Sequence, residues 1–226
     1  MLSIIIPTYN EAKNLQNIVE KTNSAIQKTK HEIIIVDDNS PDNTAEVAQE
    51  LQTKYPLKLI KRTEKKDLSL AVVEGFRHAK GEILGVMDAD MSHDPSYLPQ
   101  LLTTIEQGND IAIGSRHIKN GKIEDWPINK RIVSIIGQTF AKPLTKVNDP
   151  MSGFFLLKRE VIENAALDPI GYKIGLEIII KGNYSSIKEV PIIFKNRHLG
   201  KSKANIRSYV RFIQHIGRLY KHRLSG

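Results

Sequence analysis

The chain has no cysteine among its 226 residues, which excludes disulfides, thiolate nucleophiles and cysteine-ligated zinc, and suits a reducing, cytosolic setting. Long apolar runs are missing too. Only five residues, Leu2 to Ile6, precede Pro7 in the opening MLSIIIPTYNEAK, too few for a signal peptide, and no window approaches the ~20 apolar residues of a membrane span. The expectation is a chain that does not cross a bilayer unaided. Acidic residues are absent after Glu189, whereas nine of the 33 lysines and arginines lie from Lys195 onward. Residues 1–194 therefore net −1 and the tail +9. A tail of that kind fits an anionic partner, either a nucleic acid or an anionic lipid surface. Nucleotide signatures are also lacking. No G-x-G-x-x-G follows the first strand, and GKS at 200–202 lacks the upstream glycine of a phosphate loop because position 195 is lysine. H-E-x-x-H and G-x-S-x-G are absent as well, so hydride transfer, P-loop hydrolysis and serine-esterase chemistry are set aside.

What is present is an alternation. LSIIIP, HEIIIVDD, LKLIKR, EILGVMD and DIAIGSR read as strands, separated by helical patterns at 11–29, 41–54, 67–79 and 96–107. Continuous Ile/Val/Leu strands between helices of ten or more residues predict an α/β fold of the doubly wound kind, with a mostly parallel central sheet and helices on both faces. The second half predicts helices near 129–142, 158–166 and 174–181, with strands at GFFLLK and EVPIIFK. Length favours one compact unit. Residues 1–204 form the expected body and 205–226 a basic amphipathic helix, with Ile206, Tyr209, Val210, Ile213, Ile216 and Tyr220 on one side and Arg207, Arg211, Gln214, Arg218 and Lys221 on the other.

Ligands of open α/β sheets sit beyond the carboxyl ends of the strands, and three such ends carry polar residues. In PTYNEA, Asn10 and Glu11 fit a helix start by capping and by complementing its dipole. In VDDNSPDNT, Ser40 and Pro41 fit a helix start, which leaves Asp37 and Asp38 to be accounted for, and an acid there is placed to accept from a ribose or base. In VMDADMSHDP, Asp88 and Asp90 flank one alanine, and alternation along an extended segment turns both carboxylates the same way. Two such carboxylates repel unless a cation lies near them, and Mg²⁺ or Mn²⁺, hard ions that take oxygen ligands, can also bridge to a diphosphate.

Seven blocks in order, IIIPTYNEAKNL, IIIVDDNSPDNT, GEILGVMDADMSHDP, IGSRH, NDPMSGFFLLKREV, GYKIGLEII and EVPIIFKNRHLGKSKAN, make the chain resemble the inverting glycosyltransferases of family 2, which have a GT-A fold. Within that family the likeness is to the dolichyl-phosphate (polyprenyl-phosphate) mannose synthases and covers residues 2 to about 205. DPMSGFF is the block that separates these from the related glucose-transferring synthases, and the Q-x-x-R-W motif of processive polymerases is absent.

The resemblance implies that Pro7, Tyr9, Glu11, Val36 and Asp38 cradle the nucleotide of GDP-mannose. It implies that Asp88, Ala89 and Asp90 form the metal and diphosphate motif, with Ser92 close by and Asp90 the firmest ligand. Arg116 would meet phosphate, and Arg197 with Lys203 would close over the donor. Two departures stand out. The family's acceptor pattern of Trp, Arg and Ser at four-residue steps is met by Trp126 and Ser134, but the Arg position is Lys130, with Arg131 adjacent. A loop glycine of the family is replaced by Asp67. The implied reaction transfers mannose to a polyprenyl monophosphate with inversion and needs no general base. Its implied partners are a membrane surface and a small membrane-anchoring subunit rather than nucleic acid, which places the protein on the cytoplasmic face of a membrane. The rival readings are a glucosyl or other sugar-nucleotide transferase, and a non-catalytic basic module. Asp90, read as an exposed ligand, is expected to be replaceable without cost to the fold.

Overall fold

A computed structural model describes residues 1–63, 66–124, 128–196 and 206–225, with the side chains of 128–133, 206, 207 and 225 left out of account. The β-branched runs form the strands that their composition favours: β1 (Leu2–Thr8), β2 (His31–Asp37), β3 (Leu57–Lys61), β4 (Ile83–Val86) and β5 (Ile111–Ser115). Helices α1 (Ala12–Ala25), α2 (Thr44–Leu51), α3 (Leu68–His78) and α4 (Leu98–Glu106) lie between them. β1 is buried along its whole length, as a central strand covered on both faces must be. It pairs in parallel with β2 from Leu2↔His31 to Thr8↔Asp37, and in parallel with β4 from Leu2↔Ile83. The carboxyl ends of β1, β2 and β4 are thereby brought to one edge, at the point where the chain order reverses from β2 on one side of β1 to β4 on the other.

The order of the main sheet is β3-β2-β1-β4-β7-β5-β8, with β7 (Phe155–Lys158) and β8 (Ile187–Pro191) contributed by the second half. The predicted mostly parallel sheet is found, with one exception. β7 runs antiparallel to both β4 and β5. EVPIIFK divides at Ile192, whose N–H serves Ser115 of β5 at 3.0 Å while its carbonyl accepts from Lys122 at 3.0 Å. The chain then enters a second, two-stranded sheet of β6 (Lys122–Ile123) and β9 (Ile193–Phe194), which the sequence reading lacks because each strand is two residues long. The helix expected at 158–166 shrinks to α6 (Glu160–Glu163).

Two cores cover the two faces of the sheet, one around Ile4, Ile6, Leu101 and Phe154, the other around Ile5, Val72, Phe155 and Ile178. A third joins α5 (Ile128–Ala141), α7 (Ile174–Lys181) and the C-terminal α8 (Ile206–Ser225) through Ala141, Leu144, Leu176, Phe212, Ile216 and Leu219. The expected stripe on α8 therefore needs correction. Phe212, His215, Ile216 and Leu219 form the packed face, whereas Tyr209, Val210 and Ile213 point to solvent, Ile213 with 65% of its surface exposed. The apolar arc of α8 is wider than its seat, so the helix both packs and displays apolar residues. None of the helices among the described residues is long and apolar enough to cross a membrane.

Leu156 of β7 is fully buried, and its side chain fills the space above Gly85 of β4, where a Cβ would come within 2.4 Å of it. Leu156→Ala is expected to lower unfolding free energy in urea by about 2–5 kcal/mol, the range for a large-to-small change in a packed core.

Candidate active site

The three strand ends meet as expected, and each turns sharply. Asn10 (φ 56°), Asn39 (φ 54°) and Met91 (φ 64°) all adopt the left-handed conformation that non-glycine residues rarely take. The polar residues around them hold these turns against one another. Ser40 Oγ accepts from the Asn10 N–H at 2.9 Å and donates to Asp37 Oδ1 at 2.5 Å, and Asp37 also accepts from the Ser40 N–H at 2.9 Å. Ser40 is thus a tie between two loops and not the start of α2, which begins at Thr44 with Asp42 accepting from the Thr44 N–H at 3.1 Å. Asp37 is explained by the same turn. Glu11 is buried, donates its N–H to Thr44 Oγ1 at 2.9 Å and accepts from Asn14 at 2.8 Å.

Asp38 lies beside this junction with Pro7 and Val36, all three buried, and Tyr9 stands half-buried at the rim. One oxygen of Asp38 accepts from Arg62 and the other from the Asp67 N–H at 2.7 Å. Burial pushes the Asp38 carboxyl above its ordinary value, with the Asp67 N–H and the Arg62 charge opposing. Lys66 donates to Tyr9 Oη at 2.6 Å and sits 4.0 Å from the centre of its ring. Arg62 and Lys66 escape the sequence reading because the end of β3 is not among the three strand ends weighed there.

The Asp-x-Asp segment is a turn and not an extended strand, because β4 stops at Val86. Its two carboxylates differ. Asp88 keeps 35% of its side chain exposed, whereas Asp90 is buried and its Oδ1 accepts from the Ser92 N–H at 3.0 Å. The expectation of an exposed Asp90 is thus overturned, since the left-handed Met91 folds the turn back over it. The backbone N–H of Asp88 donates to His93 Nδ1 at 3.3 Å, and the ring of His93 stacks on Phe154 and meets Phe194 edge-on, each at 5.2 Å between centroids. Burial pushes the His93 imidazole down to about 3, so it is a neutral acceptor holding the turn. Gly153 closes the other side, where a Cβ would lie 3.4 Å from Asp88 Oδ2.

Arg116 follows β5 and is gripped by Asp149, whose Oδ2 accepts from Nε and whose Oδ1 accepts from Nη2, both at 2.7 Å. The Arg116 N–H adds a third bond to Asp149 at 2.9 Å, and the guanidinium lies 5.1 Å from the centre of the Phe194 ring. Burial alone would push the Asp149 carboxyl up, but the Arg116 hydrogen bonds and charge hold it below its ordinary value. Nearby, Lys173 donates to the Met151 carbonyl at 2.8 Å; burial, and then the Arg116 charge, lower its ammonium to about 8. Asp149 and Lys173 were legible only as letters within the NDPMSGFF and GYKIGLEII blocks.

Of the acceptor-side residues, Ser134 is half-buried on α5; the side chains of Lys130 and Arg131, like Trp126, Arg197 and Lys203, lie outside the described residues. Lys195, two residues before Arg197, donates its N–H to the Ser92 carbonyl at 3.3 Å. Among the described residues no three His, Asp or Glu side chains form a self-sufficient metal cage. Two carboxylates on one tight turn, one partly exposed and one buried, are oxygen donors of the kind that a hard divalent ion takes.

The family model for glycosyl transferase family 2 matches residues 3–165. The chain is 46% identical over 224 residues to the dolichol-phosphate mannosyltransferase of Pyrococcus furiosus, a match covering 97% of this chain and 64% of that protein, so it spans slightly less than two thirds of that relative's length. It is 34% identical to the dolichol-phosphate mannosyltransferase of Saccharomyces cerevisiae, over 96% of this chain and 86% of that protein. The structure of glucosyl-3-phosphoglycerate synthase from Mycobacterium tuberculosis, solved with Mn²⁺, UDP-glucose and glycerol 3-phosphate, superposes with a TM-score of 0.72 at 14% identity, covering 99% of this chain and 79% of that one. At that identity the likeness is one of fold, and it bears out the GT-A expectation.

The Asp149–Arg116 pair yields a test. A carboxyl held below its ordinary value contributes stability that is complete above the unfolded-state pKa of about 4 and is lost as pH falls through the lower folded value. Asp149→Asn is expected to cost about 3–5 kcal/mol at pH 7, because it strands a buried guanidinium, and the wild-type advantage is expected to shrink on acidification. Urea unfolding of both proteins at pH 7 and pH 3 measures both effects.

Proposed function

Since the chain belongs to glycosyl transferase family 2, we propose that it moves mannose from GDP-mannose to the phosphate of a dolichyl or other polyprenyl monophosphate, with inversion at the anomeric carbon. The observation that carries this reading is the bidentate grip of Asp149 on Arg116. A hydroxyl acceptor needs a carboxylate to take its proton. Here the buried carboxylate next to Arg116 is committed to that guanidinium, so it is not free to serve as a base. A phosphate monoester, with a second pKa of about 6, is already largely ionised at neutral pH and needs a cation rather than a base. The names of the Pyrococcus and Saccharomyces relatives support the same sugar and acceptor class.

In this reading Pro7, Tyr9, Glu11, Val36 and Asp38 would hold the nucleotide, Asp38 oriented by Arg62 and the Asp67 N–H. Asp88 and Asp90, with Ala89 and Ser92 beside them, would hold Mg²⁺ or Mn²⁺, and a divalent ion bound there supplies positive charge to the departing diphosphate. Arg116, kept in plane by Asp149, would orient the acceptor phosphate together with Ser134 and the Lys130/Arg131 pair. Arg197 and Lys203 would close over the donor. An acceptor oxygen attacks the anomeric carbon, the bond to the diphosphate breaks, and GDP leaves with that electron pair. No proton changes hands.

A membrane surface is the fitting partner. Ile135, Ile136 and Phe140 of α5 and Tyr209, Val210 and Ile213 of α8 are large exposed apolar side chains, and the two helices are joined by the Tyr220 hydroxyl donating to the Phe140 carbonyl at 3.0 Å. These faces, the second of them on a tail rich in Lys and Arg, suit the interfacial zone of an anionic bilayer, where the acceptor's phosphate resides. The protein would then sit peripherally on the cytoplasmic side, with or without a small anchoring subunit.

Incubation with a panel of radiolabelled sugar nucleotides and polyprenyl phosphates, followed by organic extraction, should place label from GDP-mannose in the lipid phase. Label carried from UDP-glucose alone would reassign the donor. Asp90→Asn keeps an acceptor for the Ser92 N–H, so it should leave the melting temperature near wild type while cutting transfer at least about a hundredfold. Chelation should give the same loss, reversed by Mg²⁺ or Mn²⁺. For the membrane face, the double variant Ile135→Asp/Ile213→Asp should abolish flotation with anionic liposomes, and undiminished flotation would reject that surface.

A further inference from the structure

Asp67, which stands where the resembled family carries glycine, is fully buried in its side chain and joins three parts of the molecule. Its Oδ1 accepts from the Ser69 and Leu70 N–H groups, at 2.9 and 3.2 Å, and so caps α3. Its Oδ2 accepts from the Gly171 N–H at 2.9 Å and from the Arg211 guanidinium on α8, 144 residues away in sequence. Its backbone completes the junction. The Asp67 N–H donates to Asp38 at 2.7 Å, and its carbonyl accepts from Arg62 at 3.4 Å. The Ser69 N–H also reaches the Gly171 carbonyl at 3.0 Å.

A helix cap needs an acceptor only for the first N–H groups of its own helix, and one oxygen of Asp67 supplies that. The second oxygen faces away from α3 and is spent on α8 and the 171 turn. Arg211 sits one residue beyond the exposed Tyr209–Val210 pair and two before Ile213, so one turn of α8 presents apolar side chains outward and a cation inward. An unbroken series of bonds runs from that turn through Arg211, Asp67, Asp38 and Arg62. A glycine would break it at its centre.

We infer that Asp67 and Arg211 are positioning residues that couple the seating of α8 to the shape of the nucleotide pocket, so that displacing α8 weakens nucleotide binding and nucleotide binding steadies α8. This rests on the reading of Asp38 as part of a donor pocket. Coupling of this kind is reciprocal by linkage. It would give an enzyme working at a lipid surface a donor site that is best formed when its surface helix is in place.

The test uses the full chain with Arg211→Gln, Arg211→Lys and Asp67→Asn, and the double variant Asp67→Asn/Arg211→Gln. GDP binding with Mn²⁺ is followed by calorimetry, and backbone hydrogen exchange over residues 66–70 and at Gly171 by mass spectrometry. Arg211→Gln is expected to weaken GDP binding about tenfold, within the usual range for linked sites, and to speed exchange at 66–70. Arg211→Lys should recover most of the affinity, and the double variant should be no worse than the more affected single, as for two ends of one contact. A purely structural cap predicts lower melting temperature with GDP affinity unchanged. Affinity within twofold of wild type in Arg211→Gln, together with unaltered exchange, overturns the inference, and this variant remains informative if Asp67→Asn fails to fold. A wild-type chain that binds no nucleoside diphosphate overturns the donor-pocket reading and the coupling to it. That failure is told apart by the persisting exchange change in Arg211→Gln.

Discussion

A carboxylate taken out of water must be hydrogen-bonded, and best paired with a cation, or give up its charge, and this constraint organises four of the junctions among the described residues. Asp38 is answered by Arg62, Asp67 by Arg211, Asp149 by Arg116, and Glu177 by Lys181 and His215. All but the Glu177–Lys181 pair, which lies within one helix, join segments distant in sequence, so the bond that neutralises a charge also fixes where two elements meet. Glu177 illustrates the balance. Burial pushes its carboxyl up, and hydrogen bonds from His215 and Lys181 return it below the ordinary range. Of the two partners, His215 is the one that holds α8 to α7.

Much of this architecture was legible from letters. Continuous Ile/Val runs announced central parallel strands because a strand buried on both faces has no polar side to display. The ends of β1, β2 and β4 could be picked out as a candidate site since ligands of such sheets gather there. What escaped were features decided by partners far away. The direction of β7 depends on what lies on either side of it, and two-residue strands such as β6 leave no periodicity. The roles of Arg62 and Lys66 follow from where β3 ends in space. Asp90 looked exposed because the left-handed turn at Met91 has no sequence signature when the residue is methionine rather than glycine.

The tail shows how composition and packing answer different questions. Its lack of acidic residues and its helical period indicated a basic amphipathic helix, and α8 is one. Which apolar residues face inward was set by the small core of α5 and α7, beyond the reach of a pattern that assigns a single stripe. Phe212, Ile216 and Leu219 fill that core, and Tyr209, Val210 and Ile213 are left at the surface.

The reversed direction of β7 bears on how this scaffold diversifies. Because the strand runs against its neighbours, the segment that enters it, Asp149 to Phe154, is delivered to the edge of the sheet that the parallel strands reach only as they leave. The two halves of the pocket are thus carried by loops of opposite polarity, anchored in separate stretches of chain. Drift in the 149–154 segment can reshape one side of the pocket while the turns after β1 and β2 keep the other. One inverted strand thus gives the fold two walls of one cleft that are inherited from separate stretches of chain.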